Sequence, residues 1–372
     1  MKKALLPLLL VISLAACNNT QYTPVSNLKA VTSGHFSEAQ LNYLRSENYA
    51  DTTPYNGSMS ASMPEPVHLT WEAGEGDYQV YINREGDDNV PIIYNVNKKE
   101  FDFYNPLFAT QYTVTVKYYD SVVPVIFTES PTVSGPRNIY VEGVENFRDI
   151  GGYGKFVNNL YRTHIKQGML YRSGRFNEDK EETVKPSISS EGLFEVNNSL
   201  RIKTEIDLRR TSTNEVGGLT NKSVLGDNVN YIQLPMAYGG KNILTFTGKL
   251  SGDDYEYNNP GQIKEFFKIL ADENNYPIDF HCSIGKDRTG CLAYLVEGLL
   301  GFDQETMYRD YMFTNFANAG MCKLTDITDR YGKTLDEYPN GDTLQEKIYN
   351  YLNQEIGVSK EYLDSVINIL KA

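Results

Sequence analysis

Apolar and polar residues alternate along three short segments in the first third of the chain. These segments are VHLTW at 67–71, YQVYI at 78–82 and YTVTV at 112–116. An alternation with a period of two places the apolar side chains on one face of a β-strand and the polar ones on the other. The pattern therefore predicts half-buried antiparallel strands, and the single tryptophan of the chain, Trp71, lies on the first of them.

The pattern changes after a Pro-rich joint at 131–136. Strand-like segments at 204–208 and 231–234 precede a helical segment at 261–270, which Pro260 leads at its first turn. Alternation of strands and helices is typical of an α/β fold. We therefore predict a mainly parallel central sheet flanked by helices, with its functional loops at the carboxyl ends of the strands.

One loop of this second region carries recognisable chemistry. The residues are HCSIGKDRTG at 281–290, preceded by a strand-like YPIDF at 276–280. Leucine and valine residues at helical spacing follow the loop, and Gly301 ends the predicted helix. A strand, a phosphate-sized loop and a helix N-terminus are the context that a cysteine-dependent phosphatase requires.

The residue types in the loop predict their roles. Cys282 is the nucleophile, since a thiolate can attack phosphorus and form a phosphocysteine. The planar guanidinium of Arg288 binds two phosphate oxygens, and Thr289 donates a hydrogen bond to the sulfur. We expect His281 to support the loop without taking part in a chemical step. The predicted phosphate-binding residues are His281, Ser283, Ile284, Gly285, Lys286, Asp287 and Arg288.

The loop resembles that of a bacterial tyrosine-phosphatase-like family with the signature HCxxGKDRTG. Further segments resemble the same family in the same order: NFRDIGGY at 146–153, LYRSG at 170–174, IDLRR at 206–210 with Glu215 beyond, and DYMFTN at 310–315. The resemblance implies a cysteine-phosphatase fold over residues 137–372. It also implies activity on phosphotyrosine proteins, extending to phosphoserine, phosphothreonine and phosphoinositides.

The general acid that protonates the leaving oxygen has several candidates. The family resemblance points to Asp207 at the end of a strand, and Asp287 within the loop is the second candidate. The insertion at 239–260, which is rich in Gly, Asp and Tyr, is a candidate mobile lid, and it carries Asp253 and Asp254.

Other charged residues of the matching segments have two interpretations. For Arg148, Asp149, Arg172 and Arg209, buried ion pairs that brace the loop are the first interpretation. Contact of Arg172 or Arg209 with substrate is the second. Lys286 either adds a cation that favours substrates with several phosphates, or faces solvent or pairs with Asp287.

The N-terminal residues predict that the mature protein is located outside the cytoplasm. A basic start and a short apolar run end in LAAC at 14–17, which resembles a bacterial lipoprotein signal with lipidation at Cys17. Residues 18–62 are polar and predict a tether with one short helix around 37–44. Residues 63–133 predict a β-sandwich, and PLFATQYTVTV at 106–116 resembles a fibronectin type III segment with its tyrosine corner. This module is either a spacer or a holder of a partner.

Charge and cysteine content narrow the function classes. The net charge of −13 argues against nucleic-acid binding and against broad affinity for anionic membranes. Cys291 and Cys322 are expected to be structural, with a redox partnership to Cys282 as the alternative, and no metal or cofactor is expected. The leading hypothesis is a lipid-anchored extracytoplasmic phosphatase. The alternatives are an inositol-polyphosphate (phytate) phosphatase and a non-catalytic binding lipoprotein.

Overall fold

The computed structural model describes residues 22–55, 63–87, 90–177, 187–210, 222–238, 243–317 and 322–372. The predicted signal at 1–17 with Cys17, Glu215 of the IDLRR segment, and the first residues of the candidate lid lie outside these ranges. None of the helices in the described ranges is long and apolar enough to cross a membrane.

Two antiparallel sheets form the N-terminal part of the molecule, as the alternating segments predict. One sheet has the strand order β1-β2-β5 and the other the order β4-β3-β6-β7. The strands are β1 Ser26–Val31, β2 Val67–Glu72, β3 Tyr78–Arg84, β4 Ile92–Val96, β5 Glu100–Phe103, β6 Gln111–Tyr118 and β7 Ser121–Thr128. Both sheets bury their apolar faces in one cluster that includes Trp71, Val80 and Val114. The Tyr112 hydroxyl accepts a hydrogen bond from the Leu107 N–H at 2.9 Å, which is the contact of a tyrosine corner.

The prediction that residues 18–62 form a tether is wrong for their described part. Strand β1 pairs with β2, and helix α1 (Glu38–Arg45) begins with a capping box at Ser37, near the predicted short helix. Phe36 and Tyr43 are buried in the hydrophobic core of the C-terminal domain. The apolar residues of this segment are too widely spaced to form a periodic pattern, so its composition resembles that of a linker although it is packed.

The C-terminal domain contains a six-stranded sheet with the order β14-β13-β17-β12-β9-β8. Neighbours from β14 to β12 are parallel, whereas β9 and β8 add antiparallel pairs at one edge. The strands of this domain are β8 Arg137–Asn138, β9 Arg148–Asp149, β10 Gly154–Val157, β11 Leu160–Thr163, β12 Leu170–Ser173, β13 Thr204–Asp207, β14 Asn230–Gln233, β15 Thr247–Lys249, β16 Glu256–Asn258 and β17 Ile278–His281. The prediction of a mainly parallel sheet is confirmed.

Helices pack around this sheet. They are α2 Ser190–Phe194, α3 Asn259–Leu270, α4 Asp287–Leu299, α5 Gln304–Phe313, α6 Leu324–Ile327, α7 Lys333–Asp336, α8 Leu344–Gln354 and α9 Lys360–Leu370. Helix α4 is buried from Arg288 onward, which explains why apolar residues occupy most of its positions.

The two parts of the molecule are joined by buried hydrogen bonds. The Arg137 guanidinium donates to the carbonyl oxygens of Asn105 and Pro106 at 3.2 and 3.3 Å. The Gln167 side-chain amide accepts a hydrogen bond from the Phe108 N–H and donates one to the Phe108 carbonyl oxygen. The Tyr94 hydroxyl donates a hydrogen bond to the Glu195 carboxylate at 2.6 Å. The β-module is therefore packed onto the domain that carries the loop, and it is not held at a distance from it.

Candidate active site

The loop joins the carboxyl end of β17 to the start of α4, at the centre of the sheet. Cys282 is 1% exposed and Arg288 is 3% exposed. Gly285 has a φ of +68°, and a Cβ at this position would lie 2.5 Å from the Ser173 carbonyl oxygen. The tight turn of the loop against β12 therefore requires glycine at this position.

Three successive carbonyl groups of the loop accept hydrogen bonds from the surrounding protein. The donors are Arg175 to the Ser283 oxygen, the Asn146 amide to the Ile284 oxygen at 3.0 Å, and Arg172 to the Gly285 oxygen at 2.9 Å. In a trans peptide unit the N–H points opposite to the C=O. Because the carbonyls face outward, the following N–H groups face the centre of the loop, where a phosphate would bind.

Local electrostatics favour the ionised thiol. Burial alone would raise the pKa of Cys282, but the Arg288 charge and the neighbouring hydroxyl and N–H of Thr289 outweigh it. The pKa of Cys282 is therefore lowered from its ordinary value. In contrast, burial raises the pKa of Cys322 to about 11 and raises that of Cys291 further, so those two thiols stay protonated in the core.

Arg288 is positioned by a carbonyl and by an aromatic ring. Its Nη1 donates to the Leu208 oxygen at 3.2 Å, and its guanidinium carbon lies 4.8 Å from the centre of the Tyr238 ring. Arg210 approaches the same ring at 5.1 Å. Tyr238 is 40% exposed, so it forms an aromatic wall at the entrance of the site. Tyr238 belongs to no matching motif, so no pattern in the sequence marks it as part of the site.

A buried ion cluster supports the loop from behind. Arg148 donates to Asp310 at 3.1 Å, and Arg172 also pairs with Asp310. The two guanidinium charges outweigh burial and lower the pKa of Asp310, so it is ionised. Because Arg172 also bonds the Gly285 oxygen, the cluster fixes the loop. The expected bracing role of Arg148 and Arg172 is confirmed.

Two other arginines are held in buried pairs. Arg137 pairs with Asp149 at 2.6 Å, and Arg209 pairs with Asp207 at 2.6 Å. The side chains of Arg172 and Arg209 are each about 1% exposed and pair with buried carboxylates, which supports the bracing role; their contact with substrate stays an untested alternative. Arg137 was not identified from the sequence, since it lies outside the matching motifs.

The prediction of Asp207 as general acid is wrong for physical reasons. Its side chain is fully buried and accepts hydrogen bonds from Arg209 and from the Tyr231 hydroxyl. Burial opposes its ionisation, but Arg209 and His281 outweigh burial and lower its pKa to about 2. A carboxylate that is paired in this way does not carry a proton at neutral pH.

His281 lies between the loop and the neighbouring strand. Its Nε2 lies 2.9 Å from Glu205, and its Nδ1 lies 3.3 Å from the Cys282 carbonyl oxygen. Burial would lower its pKa, but Asp207 and Glu205 raise it to about 9, so the ring is protonated. Glu205, Asp207 and His281 cluster closely enough to hold a metal ion. However, Arg209 and the His281 charge already neutralise the two carboxylates, so this donor set does not suit a cation.

The charged residues at the rim of the loop pair with a downstream segment. Asp287 pairs with Arg330, and the Lys286 ammonium lies 3.2 Å from Asp326. The Lys286 side chain is 15% exposed and does not simply face solvent, and Asp326 is a neighbour that the prediction did not name. Asp326 and Arg330 lie about forty residues from the loop in sequence, so no local signal marks them.

The candidate lid is connected to the entrance of the site by the contacts of Arg210. Strands β15 and β16 form a hairpin, and Asp253 in its turn accepts a bond from the Tyr257 hydroxyl at 2.6 Å. Asp253 also lies 3.7 Å from Arg210, which contacts the Tyr238 wall. Asp254 is exposed. The hairpin therefore lies beside the entrance, and its acid nearest the site is paired with a cation.

A lowered thiol pKa, inward-facing amides and a buried arginine define a cysteine-dependent phosphatase site. The chain belongs to the tyrosine phosphatase family, whose model matches residues 139–372, more than half of the chain. The protein is therefore a phosphoric monoester hydrolase that acts on a phosphorylated substrate, and the non-catalytic alternative is set aside.

Individual relatives are more distant. A protein of Cupriavidus necator that is named as a tyrosine-protein phosphatase is 23% identical over 207 residues, which cover 50% of this chain and 67% of that protein. A crystal structure of the core catalytic domain of the PP-IP phosphatase SIW14 from S. cerevisiae, in complex with citrate, is 16% identical. The match covers 56% of this chain and 96% of that one, with a TM-score of 0.30.

Proposed function

We propose that the protein dephosphorylates phosphotyrosine in proteins through a phosphocysteine intermediate. The observation that carries the proposal is Tyr238, which stands 4.8 Å from the Arg288 guanidinium and forms the wall of the entrance. An aromatic wall next to the phosphate-binding arginine suits the ring of an aryl phosphate. The thiol is 1% exposed, which favours the long phosphotyrosine side chain over the short phosphoserine.

The first chemical step transfers the phosphoryl group to the enzyme. The Cys282 thiolate forms a bond to phosphorus while the bond from phosphorus to the tyrosine oxygen breaks. Arg288 and the inward-facing N–H groups of the loop bind the non-bridging oxygens. In the second step water attacks the phosphocysteine and the thiolate leaves, assisted by the neighbouring Thr289 hydroxyl, which favours the ionised sulfur.

We assign the general acid to Asp287. Among the candidates, Asp207 is buried and ion-paired, and Asp253 is held by Tyr257 and Arg210. Asp287 is also paired, with Arg330, but it lies within the loop itself and this pair is 20–30% exposed at the rim, whereas the pair of Asp207 with Arg209 is fully buried. It would donate a proton to the leaving oxygen, and as the carboxylate it would accept a proton from the attacking water.

Hydrolysis assays with the purified protein and Cys282→Ser test the proposal. The substrates are a phosphotyrosine peptide, the same peptide with phosphoserine, a phosphoinositide and phytate. Hydrolysis of the phosphotyrosine peptide that the Cys282→Ser variant lacks would support the proposal. Hydrolysis of phytate alone would replace it with the inositol-polyphosphate alternative.

Phosphoinositides are a second candidate substrate class, favoured by the cations at the entrance. Lys286, Arg210 and Arg330 lie around the loop, each beside an aspartate. A substrate with several phosphates could compete with those aspartates for the cations. Turnover of a phosphoinositide at least as fast as that of the phosphotyrosine peptide would favour this class.

The location of the protein in the cell and the fold family of the β-module are proposed from the sequence. We propose that Cys17 is lipidated and that the protein is extracytoplasmic. Incorporation of labelled fatty acid into the full chain, absent in Cys17→Ala, is the expected result. The likeness of the β-module to fibronectin type III domains is supported by the Tyr112 corner and by the two sheets that share one core.

A further inference from the structure

A cleft of about 390 Å³ lies between the β-module and the phosphatase domain, away from the loop. Five half-buried aromatic rings line it, and we call it the aromatic cleft. Three rings come from the module and two from the phosphatase domain. They are Tyr94, Phe101, Tyr104, Tyr140 and Phe194. Its size is within the range of specific ligand sites, and none of the proposed chemistry uses it.

The rings are held in place by their contacts with one another. Tyr94 lies 4.6 Å from Phe101 and 5.1 Å from Phe194, measured between ring centres. Tyr104 lies 4.6 Å from Tyr140. Hydrogen bonds from Tyr94 to Glu195 at 2.6 Å and from Asn105 to the Tyr140 carbonyl oxygen at 2.8 Å fix the two sides. The walls are therefore preformed across the contact between the module and the domain.

The charged residues that line the cleft favour a ligand with a positive charge. Among its described lining residues, four carry carboxylates and none carries a positive charge. Glu142 and Glu191 are exposed and accept bonds from the Ser189 and Ser190 hydroxyls, which leave their charges intact. Burial together with a nearby carboxylate raises the pKa of both Tyr104 and Tyr140. Aromatic faces with carboxylates at the rim suit a cation.

We propose that the aromatic cleft binds an arginine or lysine side chain of the phosphoprotein substrate. The proposal rests on the phosphotyrosine activity proposed above. The chain from Tyr140 in the cleft to Asn146, which bonds the loop at the Ile284 oxygen, is six residues long. An extended segment of that length spans at most about 20 Å. Substrate peptides with the basic residue at spacings around seven residues from the phosphotyrosine are therefore the ones that test simultaneous occupancy of both sites.

The proposal assigns a role to the β-module. A basic side chain in the cleft would contact Tyr94 or Tyr104 of the module and Tyr140 of the phosphatase domain together. The buried bonds between the two parts, such as that from Arg137 to the Asn105 oxygen, hold these surfaces in register. The module would thus contribute half of a substrate-docking site. Its role would be to hold the substrate near the loop, and not only to act as a spacer.

The experiment compares phosphotyrosine peptides that differ in one charge. Each peptide carries arginine, or its neutral analogue citrulline, at five to nine residues on either side of the phosphotyrosine. At one spacing or more, arginine should lower KM about fivefold to tenfold and leave kcat unchanged. The difference should disappear in Glu142→Gln/Glu191→Gln and shrink in Tyr104→Ala.

Matched controls separate docking from folding and from net charge. All variants should hydrolyse p-nitrophenyl phosphate, which is too small to reach the cleft, at the unaltered rate. Glu273→Gln/Glu361→Gln removes two exposed carboxylates elsewhere on the domain and should keep the preference for arginine. Equal KM values for arginine and citrulline at every spacing, or a preference that survives in the cleft variant, would overturn the proposal.

Failure of the proposed function would look different. In that case p-nitrophenyl phosphate would be consumed while no phosphotyrosine peptide was. Fluorescence anisotropy would then measure the binding of the same peptides without phosphate. This measurement tests the cleft independently of the phosphatase activity. Tighter binding of the arginine peptide that depends on Glu142 and Glu191 would support a cationic site, and no difference would reject it.

Discussion

The phosphate-binding loop and the aromatic cleft are sites of opposite character on one molecule. The loop places a thiol next to Arg288 and inward-facing N–H groups, so its field is positive and lowers the pKa of Cys282. The cleft places aromatic rings next to carboxylates, so its field is negative. A chain with a net charge of −13 contains both. Local arrangement, and not net charge, therefore decides which ligand each site takes.

The two sites also differ in how the chain builds them. The reactive residues of the loop lie within seven consecutive positions, 282–288, between a strand and a helix. The cleft draws its rings from positions between 94 and 194, on two parts of the molecule. The loop can be recognised from its spacing, whereas the cleft exists only after the module has packed.

Removal of the nucleophile is expected to have the largest effect. Cys282→Ser should lower kcat for phosphotyrosine peptide by about 10⁴-fold or more, because the hydroxyl is a far weaker nucleophile than the thiolate. The preference of the aromatic cleft for an arginine peptide, measured by binding, should not change. A variant that kept a substantial kcat would contradict the phosphocysteine mechanism.

Loss of the buried anion behind the loop should destabilise the whole domain. Asp310→Asn leaves Arg148 and Arg172 buried without their shared carboxylate. We expect the free energy of unfolding, measured by denaturant titration, to fall by about 3–5 kcal/mol. Glu361→Gln on the exposed face of α9 is the control and should change it by less than about 0.5 kcal/mol.

The general acid can be distinguished by the leaving group. Asp287→Asn should lower kcat about 10²-fold or more for phenyl phosphate, whose leaving group needs a proton, and much less for p-nitrophenyl phosphate. Asp207→Asn should instead lower stability and affect both substrates alike, because Arg209 loses its partner. The reverse pattern would return the acid role to Asp207.

The pH dependence of alkylation reports the state of the thiol. Iodoacetamide reacts with the thiolate, whose fraction increases as the pH rises through the pKa. Because the pKa of Cys282 is lowered, its reaction should reach its plateau at a lower pH than that of an ordinary thiol. Thr289→Val removes the hydroxyl that favours the ionised sulfur and should move the curve upward by up to about one pH unit. If the pH dependence of alkylation were the same in Thr289→Val and in the unaltered protein, Thr289 would have no role in stabilising the thiolate.

The smallest effect is expected from salt at the aromatic cleft. Raising the ionic strength from about 0.05 to 0.5 M shortens the range of charge interactions and should reduce the KM advantage of the arginine peptide severalfold. The KM of the citrulline peptide is the reference and should change less. An advantage that did not depend on salt would indicate that the carboxylates play no part.

Some sequence predictions failed where residues depend on distant partners. The position of Asp207 at a strand end was identified, but the pairing with Arg209 and the hydrogen bond from Tyr231 that keep it ionised were not. Lys286 was expected near solvent or Asp287, and Asp326, which lies 3.2 Å from its ammonium, comes from a segment about forty residues away that no local pattern marks. The apolar residues Phe36 and Tyr43 lie in a polar stretch, so their packing was hidden.

The sequence by itself determined the loop and the order of strands and helices around it. Those features depend on spacing within a few residues, where backbone geometry links sequence to structure directly. The tertiary structure alone decided which carboxylates are ionised, which arginines are buried and where the module packs. These properties depend on burial and on charges brought together from distant positions, because the energy of a charge is set by its surroundings in space.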